Sequence, residues 1–64
     1  MESRAQRLKS ARGDIPRIKV CNDLGIALST LSMYETGQRV PRDEIKVKLA
    51  KYYGVSIEDL FYTQ

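Results

Sequence analysis

The sequence is poor in the residues that cross-link small domains, since it has one cysteine and no histidine among 64 residues. One cysteine excludes an intramolecular disulfide, and a zinc site built from cysteine and histidine would lack its ligands. A free thiol at Cys21 fits a reducing cytoplasm, where we expect the protein. Stability must come from one small core, which well-packed helices can supply at this length.

Long apolar runs, internal repeats and low-complexity tracts are also missing. The first twelve residues carry four basic side chains and no apolar run, so neither a targeting segment nor a membrane span is predicted. Eleven Lys and Arg against eight Asp and Glu give a net charge of +3. This excess suits a polyanionic partner such as nucleic acid, although many basic proteins merely have a solvated basic surface.

Residues for catalysis are scarce. There is no histidine, the cysteine lies on an apolar helix face, and no glycine-rich phosphate loop is present. Asp43 and Glu44 are better explained by a helix dipole than as an acid pair. We therefore predict that the protein is not an enzyme and uses no metal or cofactor.

The four glycines each follow a stretch with helical spacing, where glycine favours the end of a helix. Five helices are predicted, at residues 2–12, 15–24, 27–35, 41–53 and 57–62. The first four helices each carry an apolar stripe at helical spacing. In chain order these are Ala5, Leu8 and Ala11; Val20, Cys21 and Leu24; Leu31 and Tyr34; and Ile45, Leu49 and Tyr53. The fold class is therefore all-α, a compact five-helix bundle forming one domain over residues 1–64.

Several residues indicate where these helices start. Asp14 is the predicted N-cap of the second helix, with Pro16 in its first turn, and Pro41 begins the fourth helix. Ser56 and Asp59 form a capping-box pattern at the fifth.

Residues 20–37 carry the main functional signal, because two predicted helices meet there across a short turn containing Gly25. This is the helix-turn-helix arrangement. The third helix presents an uncharged face opposite its inward pair, formed by Leu28, Ser29, Ser32 and Met33. Serine can hydrogen-bond to bases and apolar atoms can contact the thymine methyl, so this face could lie in a DNA groove. The alternative is an ordinary surface, because isolated exposed Leu and Met are common.

A basic loop at residues 37–42 follows and ends at a helix N-terminus, and both features favour phosphate. Arg17, near the start of the second helix, is a further phosphate-binding residue. For each arginine alone, a solvated surface charge is the simpler explanation.

Four segments resemble the lambda repressor and Cro type (XRE family) of helix-turn-helix domain. They are residues 24–26 (LGI), 30–32 (TLS), 34–41 (YETGQRVP) and 49–61 (LAKYYGVSIEDLF). The resemblance implies a five-helix bundle whose third helix recognises the major groove of double-stranded DNA. The predicted function is sequence-specific DNA binding by a small transcriptional regulator, a repressor of bacterial or phage origin.

The resemblance also implies a role for individual residues that occupy the family's DNA-contacting positions. It implies that the bases are contacted by Leu28, Ser29, Ser32 and Met33. It implies that the phosphates are contacted by Arg17, Thr30, Gln38, Arg39 and Arg42. It also implies an ion pair between Arg12 and Glu35, and a homodimer on two half-sites. We predict an exposed aromatic at the end of the last helix, Phe61 or Tyr62, as the dimer contact.

The chain departs from the family pattern in three places. Ala27 stands where relatives usually have Ser or Thr, and Pro16-Arg17 stands where they have a polar cap followed by Gln. The link between the first and second helices is about two residues shorter by our alignment.

The sequence is also compatible with other functions. The domain could serve as an accessory factor of a mobile element or as an antitoxin, or it could be a protein-interaction module that no longer binds DNA. The sequence stops directly after the fifth helix, so we expect no small-molecule effector domain.

Overall fold

The computed structural model of the chain describes residues 3–62, which contain four α-helices, one short π-helix and no strand. The elements are α1 (Arg4–Arg12), α2 (Arg17–Leu24), α3 (Leu28–Thr36), α4 (Asp43–Tyr53) and a closing π-helix (Glu58–Tyr62). This confirms the predicted all-α class with five helices. The start predicted at Glu2 lies outside the described residues. Nowhere in residues 3–62 is a helix both long and apolar enough to cross a membrane.

One hydrophobic core joins all five elements. It consists of Leu8, Val20, Cys21, Leu31, Tyr34, Leu49, Ala50, Leu60 and Phe61. The side chains of Leu8, Leu31 and Leu49 are almost completely buried, and each contributes about 1.5–3 kcal/mol by leaving water. Both α1 and α2 pack against α3. Replacing Leu31 by Ala would remove the centre of this packing at a cost of about 2–5 kcal/mol.

The first helix begins at a complete capping box. The Oγ atom of Ser3 accepts a hydrogen bond from the backbone N–H of Gln6 at 3.1 Å. In return, Oε1 of Gln6 accepts from the backbone N–H of Ser3 at 3.0 Å. Two N–H groups that the helix leaves without acceptors are thereby satisfied.

The predicted start of the second helix was wrong. Asp14 is not its N-cap, because α2 begins at Arg17 and Pro16 occupies the N-cap position with φ −61° and ψ 140°. A residue that precedes proline disfavours the helical region, which keeps Ile15 outside the helix. Nη1 of Arg12 donates to the carbonyl oxygen of Ile15 at 2.9 Å and holds this turn in place.

The fourth helix also begins later than predicted. Pro41 is buried outside the helix, and α4 starts at Asp43 after Arg42, whose ψ of 162° is extended. At the chain's other end, Ser56 does accept from the N–H of Asp59 at 3.1 Å, as the capping pattern predicted. The helix that follows is a π-helix rather than the expected α-helix.

The turn between α2 and α3 depends on Gly25. Its φ of 71° and ψ of 35° lie in the left-handed region that glycine occupies without a steric penalty. The N–H groups of Gly25 and Ile26 both donate to the carbonyl oxygen of Cys21, at 2.8 and 3.1 Å. This Schellman-type ending stops α2 and sends the chain directly into α3.

Candidate nucleic-acid interface

The third helix separates a buried side from an uncharged outer side. Leu31 and Tyr34 are 0% and 5% exposed, which confirms that they point inward. On the other side Leu28 is 47% exposed and Ser29 is exposed, while Ser32 and Met33 are half-buried. No acidic residue lies in the first turn of α3, so nothing there repels a polyanion.

The loop after α3 is fixed at both ends and exposes its polar residues between them. The N–H groups of Gln38 and Arg39 donate to the carbonyl oxygen of Met33, at 3.0 and 3.3 Å. Pro41 is buried at the far end, whereas Gln38, Arg39 and Arg42 are exposed. The loop therefore presents two arginines from an anchored backbone.

Three helices begin without a side-chain cap. The N-cap positions of α2, α3 and α4 hold Pro16, Ala27 and Arg42, and none of these side chains bonds to its helix. The first N–H groups of a helix carry partial positive charge and need an acceptor. A phosphate oxygen can serve as that acceptor.

A buried carboxylate lies where α1, α2 and α3 meet. The side chain of Glu35 is 1% exposed and is held by Arg12, with Nε to Oε2 at 2.7 Å and Nη2 to Oε1 at 3.2 Å. Nε of Arg17 donates to the same Oε1 at 3.1 Å. The hydrogen bonds to Glu35 raise the pKa of Arg12 above its ordinary value, so this arginine stays charged.

Residues 8–60 match the family model described as helix-turn-helix. The chain belongs to the helix-turn-helix family. This agrees with the observed architecture and confirms the resemblance to domains of the lambda repressor and Cro type.

The helix-turn-helix domain is also similar to one curated protein, the cryptic phage CTXphi transcriptional repressor RstR of Vibrio cholerae. The two are 40% identical over 47 residues, which is 73% of this chain and 42% of that repressor. The chain thus matches less than half the length of this relative. The expectation that no effector domain is present stays a prediction.

Within this helix-turn-helix, the residues predicted to contact DNA phosphates differ in side-chain exposure and in hydrogen bonding. Gln38, Arg39 and Arg42 are exposed, and Thr30 is half-buried in the first turn of α3. Arg17 is 44% exposed at its side chain yet bonded to Glu35. The implied ion pair between Arg12 and Glu35 is present, whereas the bond from Arg17 was not predicted. Helical spacing gives no signal for a second arginine on one carboxylate, because that bond depends on the tertiary fold.

A second polar link, which was not predicted, joins α2 to α4. The hydroxyl of Tyr52 donates to Oδ2 of Asp23, and Nζ of Lys19 donates to the same oxygen at 3.1 Å. The bond from Tyr52, and then that from Lys19, lowers the pKa of Asp23, while the bond to Asp23 raises the pKa of Tyr52. The i,i+4 spacing of Lys19 and Asp23 was a readable signal, but the approach of Tyr52 depends on the tertiary fold.

The closing helix corrects one prediction about the dimer contact. Phe61 is 4% exposed and belongs to the core, whereas Tyr62 is 56% exposed. Nζ of Lys46 lies 5.6 Å from the ring centroid of Phe61 and 4.9 Å from that of Tyr62, and it donates to the Tyr62 hydroxyl at 3.1 Å. Phe61 is excluded as an exposed contact, because the core and Lys46 already surround it.

Proposed function

We propose that this chain is a sequence-specific transcriptional regulator, most simply a repressor, that binds double-stranded DNA with α3 in the major groove. The observation that supports this best is the uncharged outer face of α3, bordered by the exposed arginines of the loop that follows it. Short polar and apolar side chains can contact base edges, while arginines contact phosphates on either side. The similarity to a phage repressor favours repression.

The polar groups around α3 form a surface suited to the DNA backbone. Helices α2 and α3 begin without side-chain caps, and Arg17, Arg39 and Arg42 add positive charge near helix starts or in the anchored loop. Backbone N–H groups and arginines are the usual phosphate contacts of DNA-binding proteins. We assign phosphate contacts to Arg17, Thr30, Gln38, Arg39 and Arg42 on this basis.

The predicted base contacts are Leu28, Ser29, Ser32 and Met33. Their combination of hydroxyl, aliphatic and thioether groups favours a site containing thymine methyl groups. None of the four carries a charge, so they contribute little to non-specific attraction. The specificity of this domain would therefore depend on α3 and its affinity on the surrounding arginines.

We further propose that the DNA-bound species is a homodimer in a bacterial cytoplasm, acting without catalysis or cofactor. A single small module buries about 600–1,000 Å² on DNA, which limits both affinity and site length. Two copies on half-sites about 10 base pairs apart double the contacts. The 56% exposure of Tyr62 leaves it available as a dimer contact. Sedimentation on the best duplex selected from a random pool would give a 2:1 complex, whereas a 1:1 complex would refute the dimer.

The decisive experiment selects bound duplexes from a random pool. Once the selected sequence is located in natural DNA, one palindrome over a promoter would indicate a repressor, and clustered sites at a recombination end would indicate an accessory factor of a mobile element. Titration with random duplex at low salt separates both from a protein-interaction module, because phosphate attraction alone gives weak binding to any sequence. Absence of any salt-dependent binding would refute the proposed function.

The loop offers a direct test of the phosphate assignments. The Arg39→Ala variant should weaken specific and random binding to the same degree, and the slope of log K against log salt should fall by about one. The Lys48→Ala variant removes an exposed charge from α4, a helix to which no phosphate contact is assigned, and serves as the matched control. An unchanged slope in the Arg39 variant would remove this residue from the interface.

A further inference from the structure

Among the proposed phosphate contacts, Arg17 has a side chain that is anchored to a buried group. Its Nε donates to Oε1 of Glu35 at 3.1 Å, although 44% of the side chain is exposed and only 1% of the Glu35 side chain is. A long exposed arginine normally samples many rotamers, and ordering it on binding is unfavourable by its lost entropy. The bond to Glu35 fixes this side chain before DNA arrives.

Glu35 does not need Arg17 for its charge to be compensated. Arg12 already holds both carboxylate oxygens, at 2.7 and 3.2 Å, and its Nη1 is anchored on the carbonyl oxygen of Ile15. Two guanidinium groups against one carboxylate leave a net charge of +1. This surplus is carried by Arg17, the more exposed of the two arginines at 44% against 15%.

The place of Arg17 in the fold puts that charge at a helix start. It is the first residue of α2, directly after Pro16, which offers no cap to the helix. The bond through Nε uses one of the five N–H donors of the guanidinium, and the Nη donors form the fork that matches phosphate. The same end of α2 therefore combines a partial positive charge with an oriented guanidinium.

We propose that Glu35 is a positioning residue for DNA binding, which holds Arg17 through Nε so that its Nη atoms bind a backbone phosphate. This inference rests on the proposed function and adds an explanation of how the phosphate contact of Arg17 is positioned. The buried carboxylate thus increases affinity for a polyanion, although its own charge would repel one.

A pair of apolar substitutions tests this without changing the net charge. The double variant Arg12→Met and Glu35→Met replaces the buried pair by side chains of similar volume, a change that is often neutral or stabilising. It leaves Arg17 in place without its acceptor. Binding to random duplex is measured from about 50 to 200 mM salt, where phosphate contacts dominate.

The expected result is that the effect of Arg17→Gln on DNA affinity depends on the presence of Glu35. In the natural background, Arg17→Gln should lower the salt slope by about one. In the double-methionine background, affinity should already be lower, and the fold-loss caused by Arg17→Gln should shrink to half or less. An equal fold-loss in both backgrounds would overturn the proposal, as would an unchanged slope on Arg17→Gln in the natural background.

A second variant keeps the test valid if the double-methionine protein does not fold. Arg17→Lys retains the charge but has one nitrogen, so it cannot bond Glu35 through one nitrogen and present a planar fork of two others to phosphate. Positioning predicts an affinity closer to that of Arg17→Gln than to that of the natural protein. Affinity equal to that of the natural protein would overturn it. If Arg39→Ala lowers the slope while the Arg17 tests fail, the proposed function stands and only this inference is lost.

Discussion

Arg12 on α1 closes over the buried carboxylate of Glu35 on α3 with two hydrogen bonds, of 2.7 and 3.2 Å. A buried carboxylate without a partner is strongly unfavourable, so this pair requires α1 and α3 to stay in one relative position. Since α3 carries the proposed base contacts, the pair also fixes their orientation.

The first prediction is that Arg12→Met destabilises the fold by about 3 kcal/mol, the lower end of the range for breaking a buried pair, because Arg17 still contacts Glu35. In a domain of this size that is a large share of the total stability. Urea denaturation would measure it. Arg4→Met removes an exposed charge from the same helix and should cost less than about 0.5 kcal/mol. Equal losses in the two variants would contradict the assigned role.

The second prediction concerns the start of α3. Ala27 is its N-cap residue, with φ −74° and ψ 150°, and its side chain cannot accept a hydrogen bond. Ala27→Ser should stabilise the fold by about 1 kcal/mol, because the hydroxyl can accept from a free N–H of the first turn. Thermal unfolding without DNA should show a rise in Tm of roughly 4–8 °C. Ala27→Val adds bulk without an acceptor, and an equal rise there would rule out capping as the cause.

Much of this fold could be predicted from sequence, because glycine acts locally. Gly25, Gly37 and Gly54 each adopt a left-handed conformation just past a helix, so the ends of α2, α3 and α4 follow from composition alone. Inward residues such as Leu31 follow from helical spacing. Local conformational preference and periodicity are sufficient for these features.

The residues at which helices start were harder to predict from sequence, because tertiary contacts override local signals. Asp14 and Pro41 both looked like starting signals, yet the bond from Arg12 to Ile15 and the burial of Pro41 shift the starts by two residues each. The same limit applies to the candidate site. The outer face of α3 follows from spacing, whereas the bond from Arg17 to Glu35 joins residues 18 positions apart and requires the packed helices.

The third prediction uses a buried hydroxyl on α4. The Oη atom of Tyr53 is buried and has no hydrogen-bond partner within residues 3–62. Burial, followed by the charge of Glu35, raises the pKa of Tyr53 to about 12. An unpartnered polar group is unfavourable, so Tyr53→Phe should raise stability by about 1 kcal/mol. Tyr52→Phe is the matched control, since it removes a hydroxyl that is bonded to Asp23 and should not stabilise.

The raised pKa of Tyr53 also gives a pH dependence with a definite sign. In the unfolded chain this tyrosine ionises near pH 10, whereas in the folded chain it stays neutral to about pH 12. The ionisation of Tyr53 therefore leaves the free energy of unfolding unchanged below pH 10 and lowers it as the pH rises toward 12. Tm measured from pH 9 to 12 should fall less steeply in Tyr53→Phe than in the natural protein. Parallel curves would contradict the assignment.

The fourth prediction tests base recognition by α3. Ser29, Ser32 and Met33 lie on the outer side of a helix whose other side is fixed by Leu31 and Tyr34. Each should determine which base is preferred at one position, and a good base contact contributes about 1–3 kcal/mol of discrimination. Substituting each by Ala and repeating the duplex selection should relax one position of the site while leaving binding to random duplex unchanged.

The control for this experiment is Arg39→Ala, which should lower affinity for every sequence without altering the selected bases. The two classes of variant therefore differ in kind, since one changes preference and the other changes overall affinity. If all three α3 variants select the same sequence as the natural protein, α3 does not recognise the bases. The exposed face of Leu28 would then be better explained as an ordinary apolar surface.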